Sequence, residues 1–559
     1  MHVALNQLIF KPMIGTIIKL VPIIFMPANK NNLIALKEDL EPVIKLYSKG
    51  NYKEALSVLD NLSQDFPNDP TLFIIGGDCY SALKQYKLAT SCYEEALKLS
   101  PKNIIIFKKK IESLVSLGNN EGALNSCSDA IQIAPDDFDL YISQGQILQK
   151  SKKFNEAINS YNRAINLCPN RAEAFCDKSN SLMGLQRYEE AVTFAKKAIE
   201  LKNNYAPAFF NLGVSAMHLR LFDLSMQSFN KAIELEPNFE GYKFAKSTLL
   251  LLYGDFKNGW VLWESRWKLD KLFSPKLETN LPVWSGNKNA KLLVWPEQGI
   301  GDQIAYSSLL PDLNRKCSEL IVILDPRLID LLTRSMGDFC TFYPDNGEEA
   351  KIDYDEHIAM GSLCQYFRNN EKDFESTRYG FLKDDVIKTA KIKKNILTSV
   401  PENKKICGIS WRSSGLNKGD HQSINLKNFI ETINIEGYTF VSLQYGDTKK
   451  DIKEVKDELG VNVIQYDKID NFNDIDGLTS LIQACDIVVS VDNITCQLAG
   501  ALGKEIHILL SSEFWWGWMV NRDNSPWYSS AKLYRKELNE TNLELLNKLK
   551  KSLEWGDGL

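Results

Sequence analysis

Histidine is scarce in this 559-residue chain: only His2, His218, His357, His421 and His507 occur. None pair at a metal-binding spacing such as HxxxH, which excludes a histidine-rich metal centre. The eleven cysteines run from Cys79 to Cys496 without one CxxC pair, which excludes a zinc ribbon or a disulfide frame. Several, such as Cys407 and Cys485, sit among apolar residues where a reduced thiol packs as a small hydrophobe, so a reducing, cytoplasmic setting is expected. Positive charge is not in excess either. With 66 Lys+Arg against 71 Asp+Glu the net charge is -5, and no general field exists to hold a phosphate backbone, which excludes nucleic acid as a partner. Long apolar runs are also missing. Met13 to Pro27 is interrupted by Lys19, Pro22 and Pro27 and is shorter than the roughly 20 residues of a spanning helix, with no cleavage site after it, so no stable membrane insertion is expected.

What is present is ordinary globular material in quantity. Apolar residues at 44% and charged residues at 25% exclude a disordered or fibrous chain, and at about 150 residues per domain three or four folding units are expected. Residues 1–35 form an N-terminal extension in which Met26 is the expected true start of translation; mass spectrometry finding Met1 on the native protein would refute this.

From residue 36 to 271 the sequence keeps a 34-residue clock. Pro67, Pro101, Pro135, Pro169 and Pro237 mark its stations, and Asn203 fills the skipped one. Twelve residues before each station stand Ala55, Ala89, Ala123, Ala157, Ala191 and Ser225; five before the later ones stand Ala96, Ala130, Ala164, Ala198 and Ala232. Small residues seven apart face one side of a helix. Twenty-four before a station lie Gly77, Gly145, Ser179, Gly213 and Ser247, where a paired helix approaches closely, with Val43 and Ile111 as exceptions. The pattern resembles the tetratricopeptide repeat, a helix pair closed by proline. Seven repeats are expected, the last ending near Leu269 with Gly259 at the alanine position, stacked into a curved solenoid whose concave face binds a protein or peptide. Solenoids of this kind precede the catalytic part of the O-linked N-acetylglucosamine transferases, where an Asn ladder lines the groove. Here the equivalent positions read Ile75, Lys109, Ser143, Asp177, Asn211 and Ala245, and one Asn is not a ladder.

After a connection at residues 272–290 the pattern turns to short β-branched runs alternating with helices. Leu292–Trp295 and Leu320–Leu324 read as buried parallel strands of a first lobe (291–400). Ile406–Ser410, Phe440–Leu443, Ile487–Val491 and Ile506–Leu510 read as strands of a second (401–536), followed by a helix or tail at 537–559. Two Rossmann-like lobes place ligands beyond the carboxyl ends of their strands. After the first strand come Gly299, Gly301 and Asp302, ahead of a helix expected from Ile304 to Leu310; Ile304 breaks the dinucleotide fingerprint, which argues against a nicotinamide or flavin enzyme. After Val491 come Asp492, Asn493, Thr495 and Gln497, an Asp or Asn cap followed by a helix whose free N–H groups suit a diphosphate.

Taken together, Trp263-Glu264-x-Arg266-Trp267, Leu281-Pro282-Val283-Trp284, Glu297-Gln298-Gly299-x-Gly301-Asp302, Ser442-Leu443-Gln444-x-Gly446, Asp486 to Asp492, Leu498 to Lys504 and Ser525-Pro526-Trp527-Tyr528 resemble bacterial tetratricopeptide proteins with a glycosyltransferase-like C-terminal domain. That domain is similar to the lipopolysaccharide heptosyltransferases of GT-B fold. The resemblance implies an inverting, metal-independent transfer of sugar from a nucleotide-sugar co-substrate, with no further cofactor. It implies Asp302 as general base, Gly299 and Gly301 shaping its loop, and Asp492, Asn493, Thr495 and Gln497 holding the donor diphosphate. Ser442, Gln444 and Gly446 are expected near nucleotide or ribose. Gln497 stands where most relatives carry His, and Gln422 where a basic residue often precedes Ser-Ile; Arg412, Lys418 and His421 in the same loop are candidates to supply that charge. The alternative is an interaction scaffold whose transferase-like domain is catalytically degenerate. Asp353-x-Asp355 and Asp474-x-Asp476 fit a short metal-binding motif that acidic chains produce easily, and the aromatic run Phe514 to Trp518 reads as packing before sugar stacking.

Overall fold

The computed structural model describes residues 39–269, 276–347, 352–377, 379–401, 404–413, 422–434, 437–512, 514–537 and 540–556. The N-terminal extension, part of the 272–290 connection, Lys418 and His421 lie outside the described residues. Two compact units divide at Glu236, one helix pair earlier than the 271 boundary expected from the clock. No helix of the described residues is long and apolar enough to cross a membrane.

The first unit consists of antiparallel helix pairs: Glu41–Ser48 with Tyr52–Asp65, Pro70–Ala82 with Tyr86–Leu99, Ile104–Leu117 with Asn120–Ile133, Phe138–Lys150 with Phe154–Leu167, Ala172–Gly184 with Tyr188–Leu201, and Ala206–His218 with Phe222–Leu235. Each second helix ends two residues before its station. Within each of these pairs one turn residue takes a left-handed backbone: Gly50, Lys84, Gly118, Lys152, Gln186 and Arg220, 34 residues apart. The alanines of the clock are fully buried. The glycines make room for rings: a Cβ on Gly77 would sit 2.5 Å from the Tyr93 ring, and Gly145 and Gly213 face Tyr161 and Phe229 in the same way. The exception at Ile111 is explained by exchange of volume, because the residue 16 further on is the small Cys127 of the same core cluster.

The groove positions tie successive repeats to each other. Lys109 Nζ reaches Asp78 at 2.8 Å, Gln146 Nε2 donates to Asp177 at 2.9 Å, and Asn211 Nδ2 donates to the Cys176 carbonyl at 2.9 Å. Burial raises the Asp177 pKa to about 6, against the Gln146 bond that lowers it.

The second unit begins with a seventh helix pair, Glu240–Leu252 and Phe256–Trp263. It keeps the repeat pattern, down to a left-handed turn residue at Gly254, yet it packs within the α/β unit: Trp260 and Trp263 are buried against Trp516. Two all-parallel sheets follow. The first has the order β3-β2-β1-β4, from β1 (Lys291–Trp295), β2 (Glu319–Leu324), β3 (Thr341–Pro344) and β4 (Glu356–Ala359). The connection covers its β4 edge, with Trp284 N donating to the His357 carbonyl at 2.8 Å, which protects an otherwise open ladder. The second has the order β10-β9-β8-β5-β6-β7, from β5 (Lys405–Ser410), β6 (Tyr438–Ser442), β7 (Val463–Ile464), β8 (Ile487–Val491), β9 (Ile506–Leu510) and β10 (Ala531–Arg535). This is the doubly wound order, whose direction of winding switches between β5 and β8; the first sheet switches between β1 and β4. The C-terminal segment is the helix Asn542–Gly556, with Leu545, Leu546, Leu549 and Leu553 in the second lobe's core.

Two outcomes follow for the repeats. Gly145→Ala, pressing a methyl into the Tyr161 ring, destabilises by about 1–3 kcal/mol, measured by urea unfolding followed through far-UV circular dichroism. Asp177 has a folded pKa above its unfolded value, so its contribution is full below about 3.8 and is lost as pH rises through about 6. Asp177→Asn is therefore more stable than wild type by about 1–2 kcal/mol at pH 7.5, and the difference closes at pH 4.

Candidate functional site

At the carboxyl end of β1 the chain turns through Glu297, which is 1% exposed. A buried carboxylate needs a partner, and Arg266 supplies one. Its Nε and Nη2 donate to Glu297 at 2.8 and 2.7 Å, while its remaining donors reach Glu264, Ser362 and the Trp263 carbonyl. Burial works against the Arg266 cation, and the charges of Glu297 and Glu264 more than offset it, so its pKa lies above the ordinary range. Gly361 N also donates to Glu297 at 2.7 Å. With Glu297 fixed, Gln298 takes a left-handed backbone (φ 62°) and Gly299 becomes the N-cap of the helix Ile300–Ser307. Asp302 is thus a first-turn residue rather than the cap, half-buried. The helix starts four residues earlier than expected and ends before Pro311, which opens a separate short helix, Leu310–Asn314.

In the second lobe two amides stitch the strand ends around the switch point. Gln444 Oε1 accepts from Ser410 Oγ, Trp411 N and Arg412 N at 3.0, 2.8 and 2.7 Å. Asn493 Nδ2 donates to Ser410 Oγ and the Arg412 carbonyl at 2.8 and 3.0 Å. Its Oδ1 caps the helix Ile494–Ala501 by accepting from Thr495 N at 2.9 Å. The Thr495 hydroxyl is fully buried in the first turn without a partner. Arg412 is turned to Asp447 and Asp451. Gln497 is fixed from behind, its Oε1 accepting from Tyr528 OH at 2.8 Å, which leaves the Nε2 hydrogens as its donors. Gly500 is the close approach that admits the Tyr528 ring, 2.5 Å from where a Cβ would stand.

The two loops meet. A Cβ on Gly301 would lie 3.5 Å from Gln497 Cγ, and Trp515 Nε1 donates to Asp302 at 3.0 Å. Asp492 does not cap the helix: its carboxylate accepts from Trp515 N at 2.6 Å and Trp518 Nε1 at 2.8 Å. Trp516 and Trp518 are core residues at 2% and 0% exposure, so the aromatic run divides: Phe514 and Trp515 are half-buried, and Trp515 reaches the Asp302 loop. A separate cavity of about 370 Å³ opens beyond β6 and β7, lined by Ser442, Gln444, Tyr445, Gly446, Gln465 and Phe472 among others. Asn471 also lines it, its Oδ1 buried without a partner.

The expected residues therefore fall into two groups. Gly299, Gly301, Asp302, Asp492, Asn493, Thr495 and Gln497 come together around one junction; Ser442, Gln444 and Gly446 line the neighbouring cavity, and Arg412 joins the two through Gln444. Sequence reasoning assigned no role to Arg266 or Glu297, although both stood inside quoted motifs, and read Trp515 only as part of an aromatic run that packs. Among the described residues no His, Cys, Asp and Glu cluster suits a metal. Asp355 accepts from Lys291 N, Asp474 caps its own helix and Asp476 pairs with Arg334.

Residues 71–103, 172–205 and 206–239 match the tetratricopeptide repeat model, and 145–178 a TPR repeat model. These spans are tetratricopeptide repeats. Such arrays present an extended face to protein or peptide partners. Protein FlbA of Caulobacter vibrioides is 28% identical over 313 residues, covering 53% of this chain and 52% of that protein; the chain spans about half the length of this curated relative. Among solved structures, the TPR protein YrrB is 21% identical with a TM-score of 0.29, covering 34% of this chain and 97% of that one. A tetratricopeptide repeat protein from Parabacteroides merdae is 14% identical with a TM-score of 0.38, covering 42% and 94%.

Arg266→Met leaves Glu297 charged and buried, and destabilises the second unit by about 3–5 kcal/mol. Adding Glu297→Met recovers part of the loss, which a double-mutant cycle in guanidinium measures directly.

Proposed function

We propose that residues 236–559 form an inverting glycosyltransferase of GT-B type that moves a sugar from a nucleotide-sugar donor to an acceptor recruited by the repeats. The observation that carries this reading is the junction of two strand-end loops, one bearing the Asp302 carboxylate and the other a capped helix N-terminus with a buried, unpartnered Thr495 hydroxyl. Each belongs to a doubly wound parallel sheet, where ligands bind at the switch point.

In this reading the cavity beyond β6 and β7 takes the nucleoside, with Tyr445 and Phe472 as aromatic surfaces and Asn471 Oδ1 as an acceptor awaiting a donor. The diphosphate rests on the N–H groups opening the helix Ile494–Ala501, on Thr495 and on Gln497 Nε2. Asp302 takes the proton from the acceptor hydroxyl. The acceptor oxygen then bonds to the anomeric carbon from the face opposite the phosphate, and the carbon–oxygen bond to the phosphate breaks with its electron pair leaving on the nucleoside diphosphate. The charge that develops there meets preorganised donors. Gln497 contributes hydrogen bonds where an imidazolium would contribute charge as well.

A thermal-shift panel of nucleoside diphosphates and their sugars on the full chain tests this. One base raises the midpoint by several degrees, Asp302→Asn retains that shift, and turnover of the bound donor falls at least a hundredfold in the variant. No shift with any nucleotide overturns the donor site. A shift without turnover in the wild type supports the binding-only scaffold.

A further inference from the structure

Asp492 and Asp302 are both carboxylates at strand ends, and one residue stands between them. Trp515 receives Asp492 at its backbone N–H (2.6 Å) and gives its indole N–H to Asp302 (3.0 Å). Trp518 Nε1 closes the same Asp492 carboxylate at 2.8 Å, so the loop is held at two points. The ring of Trp515 packs over Gly517, where a Cβ would overlap it, which fixes the indole's tilt. Backbone strain accompanies both sides of the contact: Met519 at φ 54° and Gln298 at φ 62° take left-handed conformations without being glycine, and such strain persists only where surroundings over-determine it.

We propose that Trp515 is a positioning residue for Asp302, and that Asp492 acts through it, so that the second lobe's strand end orients the carboxylate of the first. This rests on the transferase reading above. An N–H donor at one oxygen favours the ionised carboxylate and fixes its orientation. Four neighbouring titratable groups do not compete with Asp302 as the base. Tyr306 on its own helix is held neutral by burial and then by the Asp302 charge; Tyr528, from the loop behind Gln497, is held neutral by burial, then by Cys496 and Asp302. Glu297 is compensated by Arg266, and Asp492 is occupied by the two tryptophans.

The test uses the full chain labelled with 5-fluorotryptophan, the Trp515 resonance being the one lost in Trp515→Phe, together with hydrolysis of the nucleotide sugar that gives the largest thermal shift, water serving as acceptor. The fluorine resonance of Trp515 moves in Asp302→Asn. In Trp515→Phe the acid limb of kcat/KM shifts upward by about one pH unit and kcat/KM falls roughly tenfold, while the thermal shift with nucleoside diphosphate is unchanged. A merely structural tryptophan leaves the limb in place. A Trp515 resonance blind to Asp302→Asn, or an acid limb that does not move, overturns the proposal. Absence of hydrolysis in a wild-type chain whose Trp515 still reports Asp302 removes the transferase reading and the positioning role with it, while the contact itself stands.

Discussion

A single ion pair buried away from water organises the second unit. Arg266 and Glu297 are each 1% exposed, and charges at that depth persist only when every oxygen and hydrogen is matched. Matching them brings the last helix pair of the repeat pattern onto the carboxyl end of β1 and draws in Glu264, Ser362 and the Gly361 amide. Glu297 cannot relax, so the next residue is driven into a left-handed conformation and the one after becomes a helix cap. Asp302 owes its place at the junction to that sequence of constraints. The motif Trp263-Glu264-x-Arg266-Trp267 and the motif Glu297-Gln298-Gly299-x-Gly301-Asp302 are two halves of one structure, separated by about thirty residues of chain.

The second lobe is organised by amides instead. Asn493 spans the switch point between β8 and β5, Gln444 ties β6 to the same β5 end, and their hydrogen bonds set the spacing of three strand ends. Residues that look like ligand contacts in the sequence are therefore partly framework, and the groups left over for a ligand are the helix N–H groups, Thr495, Gln497 Nε2 and the cavity wall at Asn471. The division is physically sensible, because a binding group is useful only if something rigid holds it.

The sequence made the interior of the fold legible and left its margins obscure. All six expected strands, β1, β2, β5, β6, β8 and β9, are interior to their sheets. Such strands are buried on both faces and read as apolar runs. The four that went unread, β3, β4, β7 and β10, are the edges: β7 has two residues, β3 ends in Pro344, and β4 opens with Glu356 and His357. The 34-residue clock gave every helix pair because it reports local packing. It could not show that the seventh pair belongs to the α/β unit, since the partners of Trp260, Trp263 and Arg266 lie far along the chain. Asp492 and Asn493 were equally good caps on paper; only the loop carrying Trp515 and Trp518 decides between them. Trp515 in turn could not be separated from Trp516 and Trp518 by composition.

The central claim is that strand ends from both lobes build one site. Hydrogen–deuterium exchange of the full chain, with and without a saturating nucleoside diphosphate, tests it most directly. The account predicts slowed exchange in two separate segments at once, the helix opening at residues 493–498 and the loop at 297–303. Protection confined to one of them, or located elsewhere in the unit, would contradict it.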